Sequence, residues 1–286
     1  MIIRVRRIAA VCALGTALTA LAACSAPQPV RAPRATAGSA VASASPAAGP
    51  PTLAPGPAGL TPVFEHGPRT GDRSVALTFD ADMTADQGPR AARGERFDNP
   101  GLIAALRELK VPATVFMTGR WAEQYPRQAR SLGRDPLFEI ANHSYSHYAF
   151  TEDCYGLPTV DETRMRTDVE RAYAAFREAG VPDPMPYFRF PGGCHDTRAL
   201  RALTPAGVTA VQWDVVSGDA FATDAGAVAR EVLDGVRPGS VVVLHCTLSA
   251  APTTERVVRE VVPELRGKGF RFVKVSELIG ASGGRR

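Results

Sequence analysis

The stretch VALTFDADMT, residues 75–84, opens with five residues that are mostly apolar on both faces and then presents two aspartates. A strand without a polar face belongs inside a parallel sheet covered by helices, and acids at its C-terminal end lie on the rim where such sheets carry their chemistry. Six further runs of this kind follow: ATVFM (113–117), FEIAN (138–142), YFRF (187–190), TAVQW (209–213), SVVVL (240–244) and FRFVKV (270–275). Each is short and bounded by Gly, Pro or polar residues. Helical patterns lie between them at 99–110, 160–180, 224–236 and 253–269. Asn99 before Pro100 reads as an N-cap with proline at the first helical position, and Gly180 and Gly267 or Gly269 stand where helices stop. Strands alternating with helices about seven times in one domain predict an α/β fold of the (β/α)7 barrel kind rather than an open sheet.

The strand ends deliver polar residues to one rim. Asp80 and Asp82 stand two residues apart and point to the same side of an extended chain, where they repel unless one ligates a cation. FEIAN leads into His143 and His147, a pair at i and i+4 that can project from one face of a helical turn onto a single ion. Arg189 lies within the apolar YFRF and wants a carboxylate partner, for which Asp80 is available. Asp219 follows the fifth run in WDVVSGDA, and His245 closes the sixth, where only rim contacts are open to its ring nitrogens. Singly, each has a bland alternative: solvated acids, a surface or core histidine, an outward arginine paired to a helix. Together, five consecutive rims offering groups suited to one hydrolytic task point to a metal hydrolase.

Away from these strands the composition changes. Arg4, Arg6 and Arg7 precede an apolar stretch from Ile8 to Ala23, too short for a comfortable membrane span, that ends in LAAC with Cys24. Residues 1–23 therefore read as a secretory signal, and the small residues before Cys24 resemble the lipobox of bacterial lipoproteins. That resemblance implies cleavage before Cys24, lipid on that cysteine and an extracytoplasmic location at the cell membrane; an ordinary cleaved signal or an uncleaved anchor is the alternative. Residues 24–60, dominated by Ala, Pro, Ser and Gly without one acid, read as a disordered tether, which leaves one domain at 61–286. The formal charge of +4 is no nucleic-acid signature, because the first 60 residues hold five arginines and no acid while the rest carries 28 basic and 29 acidic residues.

The string TFDAD (78–82), HSYSH (143–147), RFPGG (189–193), SGD (217–219) and LH (244–245), in this order and at these strand ends, resembles the polysaccharide deacetylases of carbohydrate esterase family 4, the NodB homology domain. The resemblance spans roughly Arg73 to Leu278 and implies a distorted (β/α)7 barrel that removes acetyl groups from a polysaccharide. Carried onto this chain, it implies Asp80 as catalytic base, with Asp82, His143 and His147 as ligands of one divalent ion. Zinc suits that donor set, and cobalt or nickel could substitute. It further implies Arg189 as the residue that orients the base, Asp219 as the support of His245, and His245 as general acid. Gly192 stands where the family often has Tyr, and its backbone N–H is the expected oxyanion donor. Ala81 separates aspartates that are usually adjacent, so a bulge is expected to return Asp82 to the metal; Ala220 replaces a Trp, Val216 an Asp, and Cys246 a residue that is commonly polar.

In a sequentially wound barrel Cys154 and Cys194 lie on neighbouring loops and are the expected disulfide, with Cys194–Cys246 the competitor. His195 reads as a loop histidine without a role, a fourth ligand or substrate contact being the alternative, and His66 is assigned none. The expected substrate is an N-acetylated cell-envelope or extracellular glycan, either peptidoglycan or a chitin-like polymer, acted on by a monomer. An O-acetyl esterase on xylan-type polymers would use the same chemistry. Ala81, Val216 and Ala220 also admit an inactive glycan-binding lipoprotein, and a small-molecule amidase would need a lid, for which 84–98 and 151–163 are the only candidates.

Overall fold

The computed structural model describes residues 49–283. The signal segment, Cys24 and the tether through residue 48 lie outside them. In chain order the elements are β1 (Val63–Phe64), β2 (Ser74–Ala81), α1 (Gln87–Ala92), α2 (Pro100–Glu108), β3 (Ala113–Met117), α3 (Gly119–Gln124), α4 (Pro126–Gly133), β4 (Phe138–Asn142), α5 (Glu162–Ala179), β5 (Tyr187–Phe188), α6 (Thr197–Leu203), β6 (Thr209–Val211), β7 (Val215–Val216), α7 (Ala225–Gly235), β8 (Ser240–His245), α8 (Thr254–Gly267), β9 (Arg271–Phe272) and α9 (Val275–Ala281).

Every strand pair is parallel, in the order β1-β6-β5-β4-β3-β2-β8-β7, with β9 pairing β2. The absence of a polar face on β2 is explained by its position: all eight residues are buried. Val75, Leu77, Phe79 and Ala81 pack with Val257, Val261 and Leu265 of α8 in the outer core. The alternate positions look inward, where Ala76 joins Phe116, Ala141, Tyr187, Val211 and Val241 in filling the barrel. This is the distorted (β/α)7 barrel expected.

The distortion lies between β6 and β7. β6 lies between β1 and β5, and after only three intervening residues β7 pairs with β8, so the run 209–216 crosses from near one end of the strand order to the other. Asp214 fills the break: its carboxylate accepts the N–H of Val241 at 2.7 Å and the hydroxyl of Ser240 at 2.8 Å. The expected strand at 209–213 is therefore cut to Thr209–Val211, and a second short strand follows at Val215–Val216. The expected strand at 270–275 is also cut short, because Val273 and Val275 turn inward with Leu278 and Ile279 to fill the lower barrel and α9 begins there. β9 meets β2 at Ser74 and Val75, before β3 joins at Leu77.

The four expected helices correspond to α2, α5, α7 and α8. Asn99 accepts the N–H of Leu102 at 3.0 Å, and Gly180 ends α5 in the left-handed region at φ 78°. The last ten residues assigned to the tether require correction. The Pro51 carbonyl accepts the Tyr187 hydroxyl at 2.7 Å, the Leu53 N–H donates to Thr209 Oγ1 at 3.3 Å, and Leu53 packs on the inner core. Composition hid this because the segment binds mainly through backbone groups. A chain started at residue 61 should be less stable than one started at 49 by about 1–2 kcal/mol in urea denaturation. Equal midpoints would show that the segment contributes nothing.

Candidate active site

β2 carries Asp80 and Asp82 to the rim in regular extended geometry. Its register with β3 runs unbroken from Leu77 to Ala81, so the single intervening alanine puts both carboxylates on one side without the bulge the sequence led us to expect. Asp80 is buried and receives Nη1 of the fully buried Arg189 at 2.7 Å. Arg189 also donates through Nε to the Val211 carbonyl at 3.2 Å and through Nη2 to that of Gln212 at 3.4 Å. Its guanidinium lies 3.9 Å from the centre of the Phe116 ring and 5.3 Å from that of Trp213. Burial pushes the Asp80 carboxyl up, but the charge of Arg189, helped by His143 and His245, outweighs it and holds Asp80 below the ordinary carboxylate range.

His143 and His147 are not on a helical turn. The loop after β4 reverses through two left-handed residues, Ser144 at φ 70° and His147 at φ 58°. Side chains hold it in that shape: Asn142 Oδ1 accepts Ser144 N–H at 2.8 Å, Ser144 Oγ accepts His147 N–H at 2.9 Å, and Asp168 of α5 accepts Tyr145 N–H at 2.7 Å. The rings end 5.0 Å apart between centres. His143 donates through Nδ1 to the Arg189 carbonyl at 3.0 Å, which leaves Nε2 as a lone-pair donor 3.7 Å from Asp80 Oδ2. His147 Nε2 stands 3.7 Å from Asp82 Oδ2, and Asp82 Oδ1 accepts the Thr247 hydroxyl.

A divalent ion would find a fitting donor set here. Burial pulls both histidines down, His147 to about 4, so each presents a neutral ring. Burial opposes ionisation of Asp82, but His147, His245 and Thr247 hold it below its ordinary value. The separation of 3.7 Å is too long for a hydrogen bond and close to the roughly 3.4 Å that two ligands about 2.1 Å from a tetrahedral ion would span. Among the described residues no three His, Cys, Asp or Glu side chains close tightly enough to form a finished centre. The arrangement is a pair, Asp82 and His147, with His143 beside it.

His245 ends β8 in register with Asp80 on β2. Asp219 is fully buried and accepts both the His245 backbone N–H at 2.8 Å and its Nδ1 at 2.7 Å, while Ser217 and Thr254 donate to the same carboxylate at 2.9 and 2.7 Å. Burial acts against the imidazolium, yet the hydrogen bond and charge of Asp219, with Asp82 and Asp80, push His245 up to about 9. One rim thus holds a carboxylate kept ionised and a histidine kept protonated.

Gly192 and Gly193 are both left-handed, at φ 66° and 76°. Gly193 N–H donates to Phe190 at 2.8 Å, whereas the exposed Gly192 N–H enters none of the hydrogen bonds of this loop. Cys154 and Cys194 are joined as a disulfide and Cys246 is a buried thiol. His195 stacks on Phe190 with ring centres 5.2 Å apart, and Gln212 Nε2 lies 3.3 Å from its Nδ1. Sequence reasoning missed Thr247, Thr254, Ser217 and Trp213. Thr247 was the most accessible of these, lying two residues beyond His245 and so on the same side of an extended chain.

The fold and rim define a hydrolase on a distorted (β/α)7 barrel. Residues 67–211 match the family model described as polysaccharide deacetylase. Chitooligosaccharide deacetylases of Sinorhizobium fredii and Bradyrhizobium are 30% identical over 215 residues (70% of this chain, 89% of the relative) and 28% over 225 (74% and 94%). A peptidoglycan-N-acetylglucosamine deacetylase of Bacillus cereus is 27% identical over 210 residues (73% and 89%). A solved peptidoglycan N-acetylglucosamine deacetylase superposes with TM-score 0.63 at 25% identity, covering 79% of this chain and 96% of that one; a family 4 carbohydrate esterase of Streptomyces lividans gives 0.57 at 26%, covering 71% and 93%. The chain belongs to the polysaccharide deacetylase family.

Replacing Arg189 by Met leaves the Asp80 charge buried and unpaired, and should destabilise the domain by about 3–5 kcal/mol in urea at pH 7. The double variant Asp80→Leu/Arg189→Met should recover much of that loss. A single variant as stable as the parent would deny the pair its structural part.

Proposed function

We propose that this domain is a metal-dependent deacetylase of N-acetyl groups on a cell-envelope or extracellular glycan, of the peptidoglycan or chitin-like kind. The observation that carries it is the register of Asp80 with His245, each fixed by its own buried partner of opposite charge, Arg189 and Asp219. The deacetylases among the relatives support the acetylated glycan as substrate. The disulfide supports an oxidising, extracytoplasmic setting. No described helix is long and apolar enough to cross a membrane, and lipid on Cys24 would hold the enzyme against its polymer.

A zinc ion, or cobalt or nickel in its place, held by Asp82, His143 and His147 would supply polarisation of the acetyl carbonyl and acidification of water. The chain's own groups do the rest. Asp80 takes the proton of the attacking water on Oδ2, the oxygen that Arg189 Nη1 leaves free. Negative charge gathering on the carbonyl oxygen meets the Gly192 N–H. His245 gives a proton to the leaving nitrogen from Nε2, because Nδ1 is engaged by Asp219. Acetate and a free amine leave.

The purified chain should release acetate from N-acetylated glycans, lose that activity with a chelator and regain it with zinc, while Asp80→Asn should lower the rate by about 10²–10⁴-fold. No acetate from a folded, zinc-supplied protein would sink the proposal. His245 acts as the acid only while protonated, so kcat/KM should fall as pH rises through about 9. In Asp219→Asn that alkaline limb should move down toward the ordinary histidine value of about 6.5; a limb that stays in place would take the general-acid role away from His245.

A further inference from the structure

Behind the histidine loop lies a second cavity, of about 320 Å³, outside the catalytic set. Tyr145, Ser146 and Tyr148 form one wall, Arg164 and Arg171 of α5 the other, and Arg120 at the start of α3 also lines it. Ser146 and Tyr148 are the immediate neighbours of His147, so the cavity and the rim share one loop.

The lining carries three guanidiniums, Arg120, Arg164 and Arg171, against two carboxylates, Asp161 and Asp168. Arg166, on the same helix, is paired with Glu170 at 3.2 Å, whereas Arg164 and Arg171 make no ion pair among the described residues. Arg171 lies 3.8 Å and Arg120 4.9 Å from the centre of the Tyr145 ring, which fixes both heads against one surface. Arg120 reaches Glu123 only at 3.8 Å, and its Nε is buried with no hydrogen-bond partner. Both acids that share the lining bind backbone N–H groups and no guanidinium among the described residues: Asp168 Oδ1 accepts the N–H groups of Tyr145 and Ser146 at 2.7 and 3.3 Å, and Asp161 Oδ1 caps α5 through Thr163 N–H at 2.9 Å. Forked guanidinium donors without a carboxylate partner suit a carboxylate, which accepts two such bonds side by side.

We infer that this cavity binds a carboxylate borne by the sugar next to the one being deacetylated, so that the enzyme is built for an acidic acetylated glycan of the peptidoglycan kind rather than a neutral chitin-like one. This rests on the deacetylase reading above. The carboxylate has two sources in such a polymer: the lactyl group of a sugar that carries no peptide, or, where a peptide is attached and the lactyl carboxyl has become an amide, the peptide itself.

The test compares acetate release from three substrates of matched length: neutral N-acetylglucosamine oligomers, peptidoglycan strands stripped of peptide, and strands that retain it. With the full chain supplied with zinc, wild type should prefer the acidic strands. Arg164→Ala and Arg171→Gln should each lower kcat/KM on those strands by about tenfold, and Arg164→Glu by more, while turnover of the neutral oligomer stays within about twofold. Arg164 is exposed and carries no packing duty, so its variants isolate charge from folding. A loss confined to stripped strands, where the lactyl carboxyl is no longer tied up as an amide, assigns that group; a loss confined to intact strands assigns the peptide, and a loss on both assigns a pocket that takes either carboxylate; each supports the inference. An equal fall on neutral and acidic substrates, or no fall on either, overturns it while the deacetylase reading stands. Acetate from none of the three brings down that reading and this inference together.

Discussion

The salt bridge between Asp80 and Arg189, 2.7 Å long and closed to solvent, is the constraint around which this barrel is organised. A guanidinium in a protein interior costs several kcal/mol in lost hydration, and the cost is met only when its donors are satisfied in good geometry. Arg189 spends Nη1 on the strand that carries the catalytic carboxylate, and Nε and Nη2 on the carbonyls of Val211 and Gln212, where β6 breaks from the sheet. Its own carbonyl takes the Nδ1 proton of His143. One residue thereby compensates for the barrel's distortion, fixes the base and orients a candidate metal ligand, so the site cannot be loosened without opening the fold.

Similar burial yields opposite protonation states on this rim because the partners differ. Asp80 and His245 lie in register on adjacent strands, yet one faces a guanidinium and the other a buried carboxylate, and burial is overruled in each case by that neighbour. His143 and His147 lie in the same cavity with carboxylates at 3.7 Å rather than in a hydrogen bond, and for them burial prevails. The difference between a proton donor and a neutral donor atom is thus set by about one ångström of approach to a carboxylate.

Features set by periodicity were legible in the sequence; features set by irregular backbone were not. Strands with two apolar faces gave away the parallel barrel, and alternation placed Asp80 and Asp82 on one side, because both depend on the period of two alone. The histidine spacing was read correctly as a pair but wrongly as a helical turn, since four residues also separate two rings on a loop that reverses through left-handed Ser144 and His147. The division of 209–216 into β6 and β7 rests on Asp214 reaching Ser240 and Val241, some 26 residues away, which no local pattern records. Thr247 and Trp213 were missed for a similar reason, as each acts on a residue far along the chain: Asp82 for one, Arg189 for the other.

The glycine at 192, where the family often has Tyr, and the disulfide are a single feature. A Cβ built on Gly192 would fall 2.6 Å from Cys154 Sγ, and the backbone there is left-handed as well, so a tyrosine at this position and the sulfur bridge exclude each other. Gly193 is under the same pressure from the other side, where a Cβ would meet Trp213 at 2.5 Å. The loop is thus clamped between the bridge and the indole that covers Arg189. Its free N–H is positioned by covalent and packing constraints, where an aromatic side chain would have occupied the wall of the groove. Tyr155, next to the bridge, and Phe221, two residues beyond Asp219, stand 87% and 83% exposed, so each of these loops offers an aromatic face to solvent.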